Sequence, residues 1–155
     1  TCWAFATSAP IEGLVKIKTG HLIDLSLQYI IDSLSKGYYD GSKDDGWKIV
    51  KGRGVVAERT YPYKKDYCML RHLVHLVKSI YFNYIAINIR RFEDVPYGDE
   101  HAFLKTVAHQ PIVCGIQVNH FFSCYNGGII KRRQMRKKII KLNHSMVIVG
   151  YEERM

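Results

Sequence analysis

Cys2 stands at the threshold of an apolar run, Trp3-Ala4-Phe5-Ala6, that reads on to Ile11-Glu12-Gly13-Leu14-Val15-Lys16-Ile17. Apolar residues at Phe5, Ala9, Leu14 and Ile17, with Ala4 and Ile11 beside them, predict a largely buried helix. A thiol that opens a helix faces unpaired backbone N–H groups and the positive end of the macrodipole. Both favour the thiolate, which is the nucleophilic form. The same residue also reads as a small buried hydrophobe, the usual fate of a free cysteine. A thiol nucleophile needs an imidazole to hold its proton, and the chain offers seven histidines. Two of them, His72 and His75, lie three apart and read either as one helix face of a metal site or as ordinary solvent-side residues; no third ligand is near them in sequence.

The other thiols are Cys68, Cys114 and Cys124, with no C-x-x-C and no zinc spacing among the four. An even count allows two disulfides in an oxidising compartment. A length of 155 residues suits one domain or two small lobes sharing a cleft, and 47% hydrophobic with 24% charged residues is an ordinary globular composition. No run approaches the roughly 18 apolar residues of a membrane span, and no signal segment is visible. The opening without an initiator methionine, inside a helix pattern, reads as a fragment. The net charge of +9 is partly local, in Lys131-Arg132-Arg133-Gln134-Met135-Arg136-Lys137-Lys138 next to Lys141. Such a run binds nucleic acid when stacking aromatics or a docking motif accompany it; here neither does, and it reads as a solvated loop.

The elements that must position these groups follow from pattern. Helix one runs from about Cys2 to Lys18 and ends at Thr19-Gly20, where glycine takes a left-handed cap. Pro10 lacks the N–H for the Ala6 carbonyl and predicts a kink costing about 3 kcal/mol. Ser26 caps a second helix through Leu27, Ile30, Ile31 and Leu34. Residues 37–46 are a loop by composition, and Trp47-Lys48-Ile49-Val50 starts a third helix broken by Gly52 and Gly54. From Ile85 the period changes: Ile85, Ile87 and Ile89 alternate as a strand. Asp99 caps a short helix with Phe103, Leu104 and Val107 inward, ended by Pro111. Strands follow over 112–118 and 145–151. The change of period sets a lobe boundary, giving a helical lobe over 1–84 and a β lobe over 85–155.

Cys2-Trp3-Ala4-Phe5, Ile11-Glu12-Gly13, Lys18-Thr19-Gly20 and Leu25-Ser26 resemble the active-site helix of papain-like cysteine peptidases, the plant members above all. Further landmarks agree in order: Thr60-Tyr61-Pro62-Tyr63, Phe92-Glu93-Asp94-Val95-Pro96, Gln110-Pro111 before a strand, Tyr125-Asn126-Gly127-Gly128-Ile129, and Asn143-His144 leading into Val147-Ile148-Val149-Gly150-Tyr151. Each motif is weak alone; the ordered set covers almost the whole chain.

The resemblance implies an α+β fold of two lobes with the active-site cleft between them. It implies cysteine endopeptidase activity with Cys2 as nucleophile and His144 as base, on polypeptide substrates, with no cofactor or metal. It implies substrate contacts at Trp3, Gly41, Ser42, Gly115, Leu142, Asn143 and Ser145. Protein inhibitors of cysteine peptidases are the other expected partners. The chain is expected to be a monomer, without nucleic-acid or membrane binding, in a vacuolar or lysosomal compartment or outside the cell. Cys68 matches a family disulfide position whose partner falls on Ser33, so all four cysteines read as free thiols. Two family parts lie outside these residues: an oxyanion glutamine shortly before the cysteine, and an Asn-Ser-Trp-Gly motif beyond Met155. The expectation is a partial domain with impaired activity, and the rival is an inactive relative that binds peptides or inhibitors without turnover. Pro10, and Asp40-Gly41-Ser42 in place of a Cys-Asn-Gly-Gly motif, are the departures that favour the rival.

Overall fold

The computed structural model describes residues 1–34, 41–65, 73, 87–130 and 141–152. Helix α1 spans Cys2–Thr19, with Thr1 as N-cap residue; the Thr1 carbonyl accepts from Ala4 N–H at 3.0 Å. The helix closes at Gly20, whose φ of 76° is left-handed and whose N–H donates to the Lys16 carbonyl. Pro10 is buried, and the helical span continues past it to Thr19.

The buried face of α1 differs from the one its apolar pattern predicts. Phe5, Ala9 and Ile17 are exposed, whereas Trp3, Ala4, Ala6, Thr7, Ser8, Pro10 and Ile11 are buried. The reason is position: α1 packs against α2, α3 and both strands, so its first three turns are covered on several sides. Buried hydroxyls are tolerated there because the helix satisfies them itself. Thr7 Oγ1 donates to the Trp3 carbonyl at 2.8 Å and Ser8 Oγ to the Phe5 carbonyl at 3.3 Å.

Helix α2 spans Leu27–Asp32 and is capped by Ser26, whose Oγ accepts from Tyr29 N–H at 3.0 Å and donates to the Tyr61 carbonyl. Its Ile30 and Ile31 are fully buried, each worth about 1.5–3 kcal/mol of apolar burial, in one core with Trp3, Ile11, Val50 and Val55. Behind them Tyr61 Oη and Gln28 Nε2 both donate to the buried Asp32 carboxylate, at 2.7 and 3.0 Å.

Helix α3 spans Lys43–Arg53, four residues earlier than the sequence predicts, and it runs through Gly52 to stop at Gly54. A capping box sets the start: Asp45 N–H donates to Ser42 Oγ while the Asp45 carboxylate accepts from Ser42 N–H at 3.1 Å. Trp47 stacks on Phe92, and Lys43 pairs with Asp94 at 3.4 Å, tying α3 to the segment after Ile89.

Of the strand predicted over 85–89, Ile85 and Ala86 lie outside the described residues; Ile87 makes one antiparallel bridge to Val55, and Ile89 packs beside it on the core. Helix α4, Glu100–Val107, is capped by Asp99, whose Oδ1 accepts from Ala102 N–H at 2.8 Å, and Val107 is buried. Strand β1, Ile112–Ile116, pairs antiparallel with β2, His144–Ile148, in the register Gly115–Ser145 and Ile116–His144. Between them a single helical turn, α5, covers His120–Ser123. Cys68, the His72/His75 pair and the basic run over 131–138 fall outside the described residues.

Candidate active site

Cys2 is the first residue of α1 and is half-buried. The Ala4 N–H already meets the Thr1 carbonyl, while the N–H groups of Cys2 and Trp3 precede the first carbonyl that the helix could offer them and would face an anion at this end. Trp3 follows, only 3% exposed. Gly41 lies against its indole: a Cβ at position 41 would stand 2.2 Å from Trp3 Cε2. Only a residue without a side chain lets the backbone pass this close, which brings two of the expected substrate positions together.

Ser42 is committed locally. Its hydroxyl and N–H both engage Asp45, and its carbonyl accepts from Gly46 N–H at 3.2 Å.

A second cluster stands at the end of the sheet. His144 opens β2, half-buried and opposite Ile116. The register sets Ser145 beside Gly115, and the Leu142 side chain covers Gly115, its Cδ1 3.0 Å from where a Cβ would be. Asn143 continues the ladder by donating its N–H to the Ile116 carbonyl at 3.1 Å. Its side chain clasps Val118: Oδ1 accepts from Val118 N–H at 2.7 Å and Nδ2 donates to the Val118 carbonyl at 3.1 Å. Both polar ends of Asn143 are therefore occupied by main chain, which fixes the residue just before His144.

Helix α1 packs directly on β2. Where they meet there is a cleft of about 370 Å³, lined by Phe5, Ala6 and Ala9 from α1 and by Ser145, Met146 and Val147 from β2. Three carboxylates also line it, Glu12, Asp24 and Glu58. Sequence patterns do not group the three, because they come from separate segments joined only by the fold. Burial pushes the Glu12 carboxyl above its ordinary 4.5; the Leu25 N–H, 2.8 Å from Oε1, opposes this, and the charges of Asp24 and Glu58 add to it. Glu58 Oε1 accepts from Tyr63 N–H at 2.7 Å.

Among the described cysteines Cys2, Cys114 and Cys124 are free thiols. Burial pushes the half-buried Cys114 thiol up. Among the described residues no helix is long and apolar enough to cross a membrane.

Comparisons with known proteins bear on the family and the fold. The family described as papain family cysteine protease matches residues 1–155. The chain is 33% identical over 156 residues to the thiol protease SEN102 of Hemerocallis sp., covering 97% of this chain and 40% of that protein. It is 35% identical over 156 residues to the senescence-specific cysteine protease SAG12 of Arabidopsis thaliana, covering 98% and 42%. The chain thus spans about two fifths of the length of these curated relatives. Among solved structures, the bromelain protease from Ananas comosus in complex with the E64 inhibitor superposes with a TM-score of 0.78 at 26% identity, over 97% of this chain and 66% of that one. The fold is the α+β fold of these enzymes, with its helices and antiparallel strands in the order described. Matched from its first residue to its last, the chain belongs to the papain family of cysteine proteases.

Proposed function

We propose that this chain carries the nucleophile and the base of a cysteine endopeptidase, Cys2 and His144, facing each other across the seam between a helical lobe (1–84) and a β lobe (85–155). The observation that carries the proposal is the packing of α1, whose first residue is Cys2, against β2, whose first residue is His144. His144 takes the proton of the Cys2 thiol, and the sulfur attacks the carbonyl carbon of a bound peptide. The oxyanion that forms is met by the free N–H of Cys2 at the start of α1. Collapse of this intermediate breaks the C–N bond, and the His144 imidazolium gives its proton to the departing amine. Water, deprotonated by the same imidazole, then hydrolyses the thioester and frees the sulfur.

Gly115, Leu142 and Ser145 form the pocket for the residue before the scissile one, and Trp3 its wall. The backbone at Gly41 pairs with the extended substrate. Asn143, its side chain held by Val118, acts through the placing of its neighbour. Substrates are polypeptides, and E-64-type epoxides and protein inhibitors of cysteine peptidases are the expected ligands of the same site, as the E64 complex of bromelain supports. The chain acts as a monomer in a vacuolar or lysosomal compartment or outside the cell. These 155 residues alone turn over slowly.

The rival reading is an inactive relative that binds peptides without cleaving them. The full commitment of Ser42 to its cap favours it, since neither its N–H nor its hydroxyl is left for a substrate.

Labelling with an E-64-type epoxide, followed by peptide mapping, tests the assignment. The expected result is an adduct confined to Cys2, absent in Cys2→Ser and at least about a hundredfold slower in His144→Ala. An adduct elsewhere, or one indifferent to His144, overturns the pairing. Reversible peptide binding with no labelling and no cleavage establishes the rival.

A further inference from the structure

A thiol–imidazole contact lies in the single helical turn that follows Val118 in the chain. Asn119 caps α5 by accepting from Phe122 N–H at 3.0 Å, and the turn closes with Cys124 N–H donating to the His120 carbonyl at 3.1 Å. Four residues apart, the two side chains share one face of the turn. Cys124 Sγ lies 3.9 Å from His120 Nδ1 and 3.8 Å from Nε2. Both residues are exposed. Cys114 stands in contrast, half-buried and with its thiol pushed up by that burial. An exposed sulfur touching an imidazole has both requirements of a reactive thiol, access and a proton acceptor.

We propose that Cys124, with His120 as its proton acceptor, is a site of reversible S-thiolation by low-molecular-weight disulfides of the glutathione class. His120 takes the thiol proton, and the Cys124 sulfur attacks one sulfur of oxidised glutathione. The S–S bond of the small disulfide breaks as the new S–S bond to Cys124 forms. The departing glutathione thiolate carries off the electron pair and recovers the proton from the His120 imidazolium. Cys124 is oxidised, one half of the small disulfide is reduced, and no further oxidant enters.

The test uses the full chain with Cys2→Ala, which removes the candidate nucleophile and makes the outcome independent of the peptidase assignment. Incubation with oxidised glutathione is followed by intact mass and peptide mapping. Cys124 is expected to acquire the mixed disulfide at least about tenfold faster than Cys114, and a reducing agent to remove it. His120→Ala, and His120→Gln (which keeps a polar side chain on the turn), are each expected to slow Cys124 about tenfold while leaving Cys114 unchanged. Cys124 reacting no faster than Cys114, or both histidine variants reacting as fast as the parent, overturns the proposal.

Discussion

Glu12 is held between opposing influences in the cleft: burial and two neighbouring carboxylates raise its pKa, and one backbone donor lowers it. A carboxyl raised on folding binds its proton more tightly in the native state than in the unfolded chain. Its contribution therefore favours folding below the ordinary 4.5 and fades as pH rises through that value to the raised one. Glu12→Gln keeps an oxygen for the Leu25 N–H and removes the charge. It is expected to melt higher than the parent at about pH 7 and to lose that advantage at about pH 4, as thermal unfolding at the two pH values will show. Asn143 answers to a different test. Asn143→Ala loses two exposed hydrogen bonds, a cost of about 1 kcal/mol in denaturant unfolding. It also frees the start of β2, so labelling at Cys2 should slow more than peptide binding weakens. Cys2 was legible as a candidate because a thiol opening an apolar helix is a local signal. The role of Asn143 was not, since its partner Val118 is brought to it only by the register of the two strands.

Elements declare themselves where one side chain sets their start. Ser26 and Asp99 are followed at once by helical apolar spacing, and both caps stand where the sequence puts them. Ser42 caps just as well, yet the glycines and aspartates around it have the composition of a loop, and the capping box is closed by Asp45 in place of the more usual glutamate. Ser42→Ala should cost about 1 kcal/mol, measured by chemical denaturation, with the loss of helicity confined to the first turn of α3. Gly46 sits one turn further on, where α3 crosses α1; a Cβ there would come 2.1 Å from Thr7 Oγ1. Gly46→Ala should force the helices apart and destabilise by about 1–3 kcal/mol, seen as a lowered midpoint with an unchanged denaturant slope. The face of α1 could not be read from periodicity. Periodicity assumes one buried side, and this helix is enclosed on several, with Thr7 and Ser8 inside and Phe5 and Ala9 turned to the cleft.

At the scale of the whole molecule, the order of helices and strands was legible because each motif carried its own local mark, and the strands of 112–116 and 144–148 begin within a residue of their expected starts. Both stop two or three residues short of the expected ends, because in the antiparallel pair the end of each strand faces the start of the other. The three carboxylates of the cleft and the close approach of α1 to α3 were not legible, being products of packing between distant segments. The core around Ile30 and Ile31 draws on α1, α2 and the segment of Val55 and Val56 at once. Ile30→Ala should therefore cost about 2–5 kcal/mol and act on the molecule as a unit, which calorimetry can establish as one lowered transition with no independent step. Helix α1 touches α2, α3, β1 and β2. A rod shared by every neighbour has no private way to loosen. Its amides should be among the last to exchange with heavy water, and warming should abolish epoxide labelling confined to Cys2 and native structure at one temperature.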